Sequence, residues 1–229
     1  MSWTFGLSLD DFSPHPRAGL NFESIGWCNE LIKDFPDIKI DLFVSAAYCR
    51  LGEKPCYLSD SPEWCDKVRG LPDNYRLNLH GMYHRRCELD RSWHKYHPLS
   101  NNDELQYLQE AHMRFLLGDM REEFRKAGLE HTKVIRPPGW KISVQACRAL
   151  NKMGYTIAGD GRYKGKPQAA FVGDSYNWDL ISKCKLKRDV WTFGHTSDWT
   201  NNYFDEERYN LVLDLLTSRD FHYRFLGDK

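Results

Sequence analysis

Little in this chain of 229 residues points toward a membrane, a nucleic acid or an oxidising compartment. No run approaches the roughly 18 apolar residues that a membrane span needs. The opening Met-Ser-Trp-Thr-Phe-Gly has neither the basic start nor the apolar stretch of an export signal. Charge of one sign is missing too: 32 basic residues balance 32 acidic ones, so no electrostatic footprint for nucleic acid or an anionic membrane surface is expected. Seven cysteines, an odd number without a Cys-x-x-Cys pair, make no disulfide framework and read as reduced thiols. Cys49, Cys56 and Cys65 are too widely spaced for a zinc-binding set. With no internal repeat, low-complexity tract or linker, the expectation is one cytoplasmic domain over residues 1–229. Its composition, 41% hydrophobic and 28% charged, suits a single sizeable core.

What is present is an alternation of short apolar runs and amphipathic stretches, the pattern of parallel strands joined by helices. Strands are expected at 5–9, 38–45, 76–79, 133–135, 155–158, 189–193 and 222–226. Helices are expected at 21–33, from Ser61-Pro62 to Gly70, at 103–126, at 143–152 and at 205–217. Serine before proline at a start and glycine past an end, as at Gly70, Gly128 and Gly154, are the usual helix punctuation. In the longest helix, Leu105, Leu108, Phe115, Leu116 and Phe124 form the expected core stripe.

Chemistry-bearing residues gather where these strands end. Asp10 and Asp11 close the first run; His80 and His84 follow the third; Arg136 precedes Pro137 and Pro138, which cannot extend a central ladder; and His195 ends Val190-Trp-Thr-Phe-Gly. Histidines four apart share one face of a helical turn, and Asp11 added to His80 and His84 makes two nitrogen donors and one oxygen donor for a metal. A zincin protease is excluded, because its glutamate after the first histidine is Gly81 here. Each element also has a bland reading, as a turn, a cap or a surface ion pair, and only their conjunction is specific.

Leu9-Asp-Asp11, His80-Gly-Met-Tyr-His84, Arg136-Pro-Pro-Gly-Trp140 and Phe193-Gly-His195, in that order, resemble the motifs of the polysaccharide deacetylase family with its NodB-homology fold. The resemblance runs over most of the chain. It departs at Gly81, where the family has a hydroxyl residue, and at Trp140, where a tyrosine is usual. For the family's Asp-Trp motif, Asp160, Trp178-Asp179 and Asp198-Trp199 compete. The resemblance implies an α/β fold, a single-domain distorted, incomplete (β/α) barrel of about seven units. It also implies that Arg136 pairs with Asp10.

On this reading Asp11, His80 and His84 hold one divalent metal ion, zinc first, with iron, cobalt, nickel or manganese also compatible. Asp10 is the base, His195 protonates the leaving amine, and a backbone amide near Gly139 or Trp140 helps hold the oxyanion. Pro138, Gly139 and Trp140 are assigned to the substrate, and Trp93 and Tyr96 are further candidates for stacking on a sugar ring. The expected reaction removes an acyl group, acetyl first, from nitrogen on an amino sugar or similar small molecule or glycan. The alternative is a noncatalytic carbohydrate-binding protein that keeps the barrel.

Overall fold

The computed structural model describes residues 3–16, 21–50, 53–85, 87–89, 96–98, 103–159, 171–172, 175–176, 189–196 and 202–228. Strands β1 (Trp3–Phe12), β2 (Ile40–Val44), β3 (Ala47–Tyr48), β4 (Cys56–Tyr57), β5 (Tyr75–Leu79), β6 (Cys87–Leu89), β7 (Tyr96–Pro98), β8 (Val134–Ile135), β9 (Thr156–Ala158), β10 (Phe171–Val172), β11 (Ser175–Tyr176), β12 (Asp189–His195) and β13 (Phe221–Tyr223) alternate with helices α1 (Asn21–Asp34), α2 (Pro62–Arg69), α3 (Glu110–Lys126), α4 (Val144–Lys152) and α5 (Glu206–Thr217). The main sheet runs β10-β9-β8-β5-β2-β1-β12-β11, with β13 also paired to β1, and its neighbours are parallel. Two short antiparallel pairs, β3 with β4 and β6 with β7, lie off it. Among the described residues the two end strands of the path do not pair with each other, and the sheet is a curled, incomplete (β/α) barrel.

Burial follows from the period of two along each strand. On β1, Phe5, Leu7 and Leu9 join the large core between sheet and helices, whereas Gly6, Ser8 and Asp10 face the barrel interior. The interior is therefore narrow and partly polar. A Cβ added at Gly6 would meet the Trp191 ring at 2.0 Å, so the absent side chain there is what admits the indole. Phe43, Val134, Ala158, Trp191 and Leu226 form a small second apolar cluster of their own.

Helix ends match their local chemistry. Ser143 and Asp205 cap α4 and α5 by accepting the N–H groups of Ala146 and Arg208. Ser61 precedes Pro62 in the first turn of α2 but makes no side-chain cap bond. The expected 103–126 helix is shorter than its pattern: it begins at Glu110, and residues ahead of it pair with the stretch before α4, Leu105 bridging Ile142 and accepting from Ser143 N–H. The buried stripe of α3 is Met113, Leu116, Leu117, Met120 and Phe124. Phe115 falls on the opposite face and is 52% exposed, which corrects its assignment to the core. Among the described residues, no helix is long and apolar enough to cross a membrane.

At the end of the barrel away from the strand tips, Asp41 of β2 is fully buried. It accepts from Arg76 Nε (3.0 Å), Asn78 Nδ2 (2.6 Å) and Leu226 N–H (2.6 Å), joining β5 and the C-terminal segment to β2. Asp41→Ala leaves the Asn78 amide and the Leu226 N–H without this acceptor, whereas Arg76 keeps Asp228 and the Leu226 carbonyl. We expect a loss of about 1–3 kcal/mol in unfolding free energy for each buried donor left unsatisfied, read from the urea midpoint.

Candidate metal centre

Two neighbouring strand residues ordinarily point to opposite faces, so an Asp-Asp pair in a regular strand cannot place both carboxylates in one site. Here β1 solves this with an irregularity. Its register against β2 shifts between Leu9 and Phe12, and Asp11 adopts a left-handed backbone with φ 61°. Asp10 and Asp11 are consequently both buried, 1% and 2% exposed, at the same end of the barrel.

His80 and His84 converge by a different route from the expected helical turn. Residues 82–85 are bends, with Gly81 at φ 79° and His84 at φ 65°. Left-handed backbone at an aspartate and a histidine is uncommon and costs about 1–2 kcal/mol per residue. Such strain is held in place only when the surroundings over-determine it. His80 Nδ1 lies 2.8 Å from the Arg136 carbonyl. A carbonyl only accepts, so Nδ1 carries the proton and Nε2 presents its lone pair to the site. The His84 ring stacks on Tyr48 at 5.2 Å between centroids.

Asp11, His80 and His84 each offer one donor atom, all within 4.8 Å of one another, and all three side chains are buried. Asp11 Oδ1 stands 2.9 Å from His84 Nε2 and 3.4 Å from His80 Nε2, at ion-pair distance from both, and this buried oxygen makes no well-formed hydrogen bond among the described residues. Ligand atoms of a tetrahedral ion at about 2.0–2.2 Å lie roughly 3.3–3.6 Å apart, so donor atoms within 4.8 Å of one another and the donor chemistry fit a divalent cation such as zinc. Burial works against an ionised Asp11, but His84, His80 and His195 together hold its carboxyl well below the usual carboxylate range. Burial likewise works against a charged His80, and Asp10 and Asp11 outweigh it to raise that imidazole above its ordinary value. For His84 burial prevails and lowers it.

Beside this triad lies a buried ion pair. Arg136, fully buried just past β8, donates from Nη1 to Asp10 Oδ1 at 2.5 Å and from Nη2 to Ser8 Oγ at 3.1 Å. Its guanidinium lies over the rings of Phe43 (4.0 Å) and Trp140 (4.7 Å). His195 is the register partner of Asp10 on the neighbouring strand, and its Nδ1 is buried with no hydrogen-bond partner among the described residues. The three aspartate candidates for that partner, Asp160, Asp179 and Asp198, lie outside the described residues, as do Trp93 and the side chain of Tyr96. Pro138, Gly139 and Trp140 form a single 3-10 turn in which Gly139 and Trp140 both have φ 58°. Trp140 also packs on Phe193 with centroids 4.7 Å apart.

Two residues at this site carry no motif and were not identified from the sequence. Glu104, 5% exposed, accepts the N–H groups of Met82 and Tyr83 in the histidine turn, and Tyr48 backs His84. The sequence signal for Glu104 is indirect: a glycine at position 81 leaves space that something must fill.

Replacing Arg136 with methionine leaves Asp10 buried and unpaired, and we expect a loss of about 3–5 kcal/mol of stability. Adding Asp10→Asn removes the stranded charge and should recover part of that loss. A coupling of about 0.5–3 kcal/mol from the double-mutant cycle in urea is the expected result, and additive losses would mean the two side chains do not act as a pair.

No protein-family model matches the chain, and no curated protein does. Solved structures do. A family 4 carbohydrate esterase from Streptomyces lividans in complex with acetate is 12% identical, with a TM-score of 0.55 over 97% of this chain and 92% of its own. A family 4 acetyl xylan esterase from Clostridium thermocellum in complex with a cobalt ion is 11% identical, with a TM-score of 0.57 over 96% and 87%. A pseudoenzyme of the same family from Bacillus anthracis is 11% identical, with a TM-score of 0.57 over 96% of this chain and 63% of its own. At these identities the likeness is one of fold: this chain has the incomplete (β/α) barrel of the family 4 carbohydrate esterases.

Proposed function

We propose that the protein is a metal-dependent hydrolase that removes an N-linked acyl group, acetyl first, from an amino sugar or a glycan that carries one. The observation that carries this reading is the convergence of a buried Asp-His-His donor set with a second carboxylate, Asp10, that an arginine already occupies. Asp10 is thereby kept apart from the donor set, although it is adjacent in sequence to Asp11. Acetate bound to one structural neighbour and cobalt to another accord with the reaction class and with a divalent ion.

When bound, a divalent ion supplies Lewis acidity and makes water more acidic, and two imidazoles with one carboxylate suit zinc first and iron, cobalt, nickel or manganese as well. The remaining work falls to the protein's own groups. Asp10 accepts the proton of the attacking water, with the Arg136 guanidinium holding the carboxylate in place. His195, beside Asp10 in the sheet register, donates a proton to the leaving amine. The Trp140 N–H already donates to the Pro137 carbonyl at 2.9 Å, which leaves the Gly139 N–H as the candidate of this turn to meet the oxyanion, and Trp140 is the aromatic candidate for contact with the substrate. Water-excluding burial of Asp10, Asp11, His80 and His84 strengthens each of these charge interactions.

Elemental analysis of untagged protein should find about one divalent metal per chain, lost in folded Asp11→Ala and His84→Ala variants. Asp10→Asn should keep the metal while deacetylation of N-acetylglucosamine oligomers falls by about 10²–10⁴-fold. A parent protein that holds no metal even after reconstitution would sink the hydrolase and leave a carbohydrate-binding barrel in its place.

A further inference from the structure

The turn carrying the two histidines is hydrogen-bonded on both sides, and the two sides differ in kind. Its carbonyl groups at Gly81, Met82 and Tyr83 accept the N–H groups of Ala46 (3.2 Å), Ala47 (2.6 Å) and Cys49 (3.1 Å), and Ser45 Oγ donates to the His80 carbonyl at 2.8 Å. Apart from the Ser45 hydroxyl that side is backbone, and its three backbone bonds do not depend on which side chains are present. The N–H side depends on one residue. Met82 N–H donates to Glu104 Oε2 and Tyr83 N–H to Glu104 Oε1, both at 3.0 Å, and the His84 N–H bonds to the same carboxylate. Successive N–H groups closing on one acceptor group form a nest, a geometry that favours alternation of right- and left-handed backbone.

We infer that Glu104 is a positioning residue of the metal centre: its carboxylate, clasped by the N–H groups of Met82, Tyr83 and His84, fixes the left-handed backbone of His84 and so aims His84 Nε2 at Asp11. His80 does not need this help, since Nδ1 anchors its ring on the Arg136 carbonyl and its own N–H donates to Val44 at 2.8 Å. His84 is reached only after the chain has turned back through Gly81, and its ring is guided by its backbone and by the face of Tyr48. Gly81 belongs to the same device. A Cβ at that position would stand 2.2 Å from Glu104 Oε2 and 2.8 Å from Pro138 Cγ, so the carboxylate can enter the turn because position 81 has no side chain.

The inference rests on the metal-dependent reading above, and its test separates the two. Full-length parent, Glu104→Gln and Glu104→Asp would be stripped of metal and titrated with zinc against a chromophoric chelator. Each would then be loaded with cobalt for its visible absorption spectrum, and the thermal midpoint of each metal-free protein would be recorded. For Glu104→Gln we expect zinc affinity about 10–100-fold weaker than the parent's and a changed cobalt spectrum, beyond what any shift in midpoint accounts for. A folded Glu104→Gln with parental affinity and spectrum overturns the inference, whatever its midpoint, and reduces Glu104 to a fold-supporting residue while the hydrolase reading stands. If Glu104→Gln yields too little folded protein, Glu104→Asp, which withdraws the carboxylate by one methylene, decides by the same criterion. A parent that binds neither zinc nor cobalt fails the hydrolase reading itself, and this inference with it.

Discussion

A guanidinium cannot be neutralised by burial, so a fully buried arginine obliges the fold to supply an anion beside it. Arg136 is such a residue, and Asp10 is that anion. In the sheet their strands are not neighbours: β5 and β2 lie between β8 and β1. A direct contact between them requires the sheet to curl until its inner face closes on itself, and the ion pair therefore spans the barrel's interior like a brace. The aromatic rings of Phe43 and Trp140 keep water from the guanidinium while offering it their electron-rich faces.

The same brace divides the labour of two adjacent aspartates. With Asp10 committed to Arg136, the register shift in β1 turns Asp11 toward the two histidines. Strand order adds the rest, because β12 lies against β1 and sets His195 level with Asp10. The polar network around Asp41 is at the opposite end of the same strands, so the barrel keeps those charges apart from the ones at the candidate metal centre.

Much of this was legible in the sequence because it is written locally. The helices opening at Ser143 and Asp205, the stop at Pro137-Pro138 and the short apolar runs each record a nearest-neighbour preference, and the strand tips carry the residues that the motif order resembles. What was not legible depends on partners distant in sequence. The stretch ahead of α3 has a helical pattern, but it pairs with Ile142 and Ser143, and Glu104 within it turns to the histidine loop instead of to solvent. Similarly, a spacing of four residues between histidines suggested a helical turn, whereas the positive φ at Gly81 and His84 brings them together by reversing the chain. Periodicity describes regular backbone, and the site is built where the backbone is irregular.

Gly81 also constrains how such a chain can change. With φ at 79°, and with Glu104 Oε2 at 2.2 Å and Pro138 Cγ at 2.8 Å from where a Cβ would be, a residue larger than glycine needs both neighbours to give way and a strained backbone besides. Glycine after the first histidine and glutamate in the distant segment therefore fit each other: a side chain at one position and the carboxyl group of the other compete for the same volume.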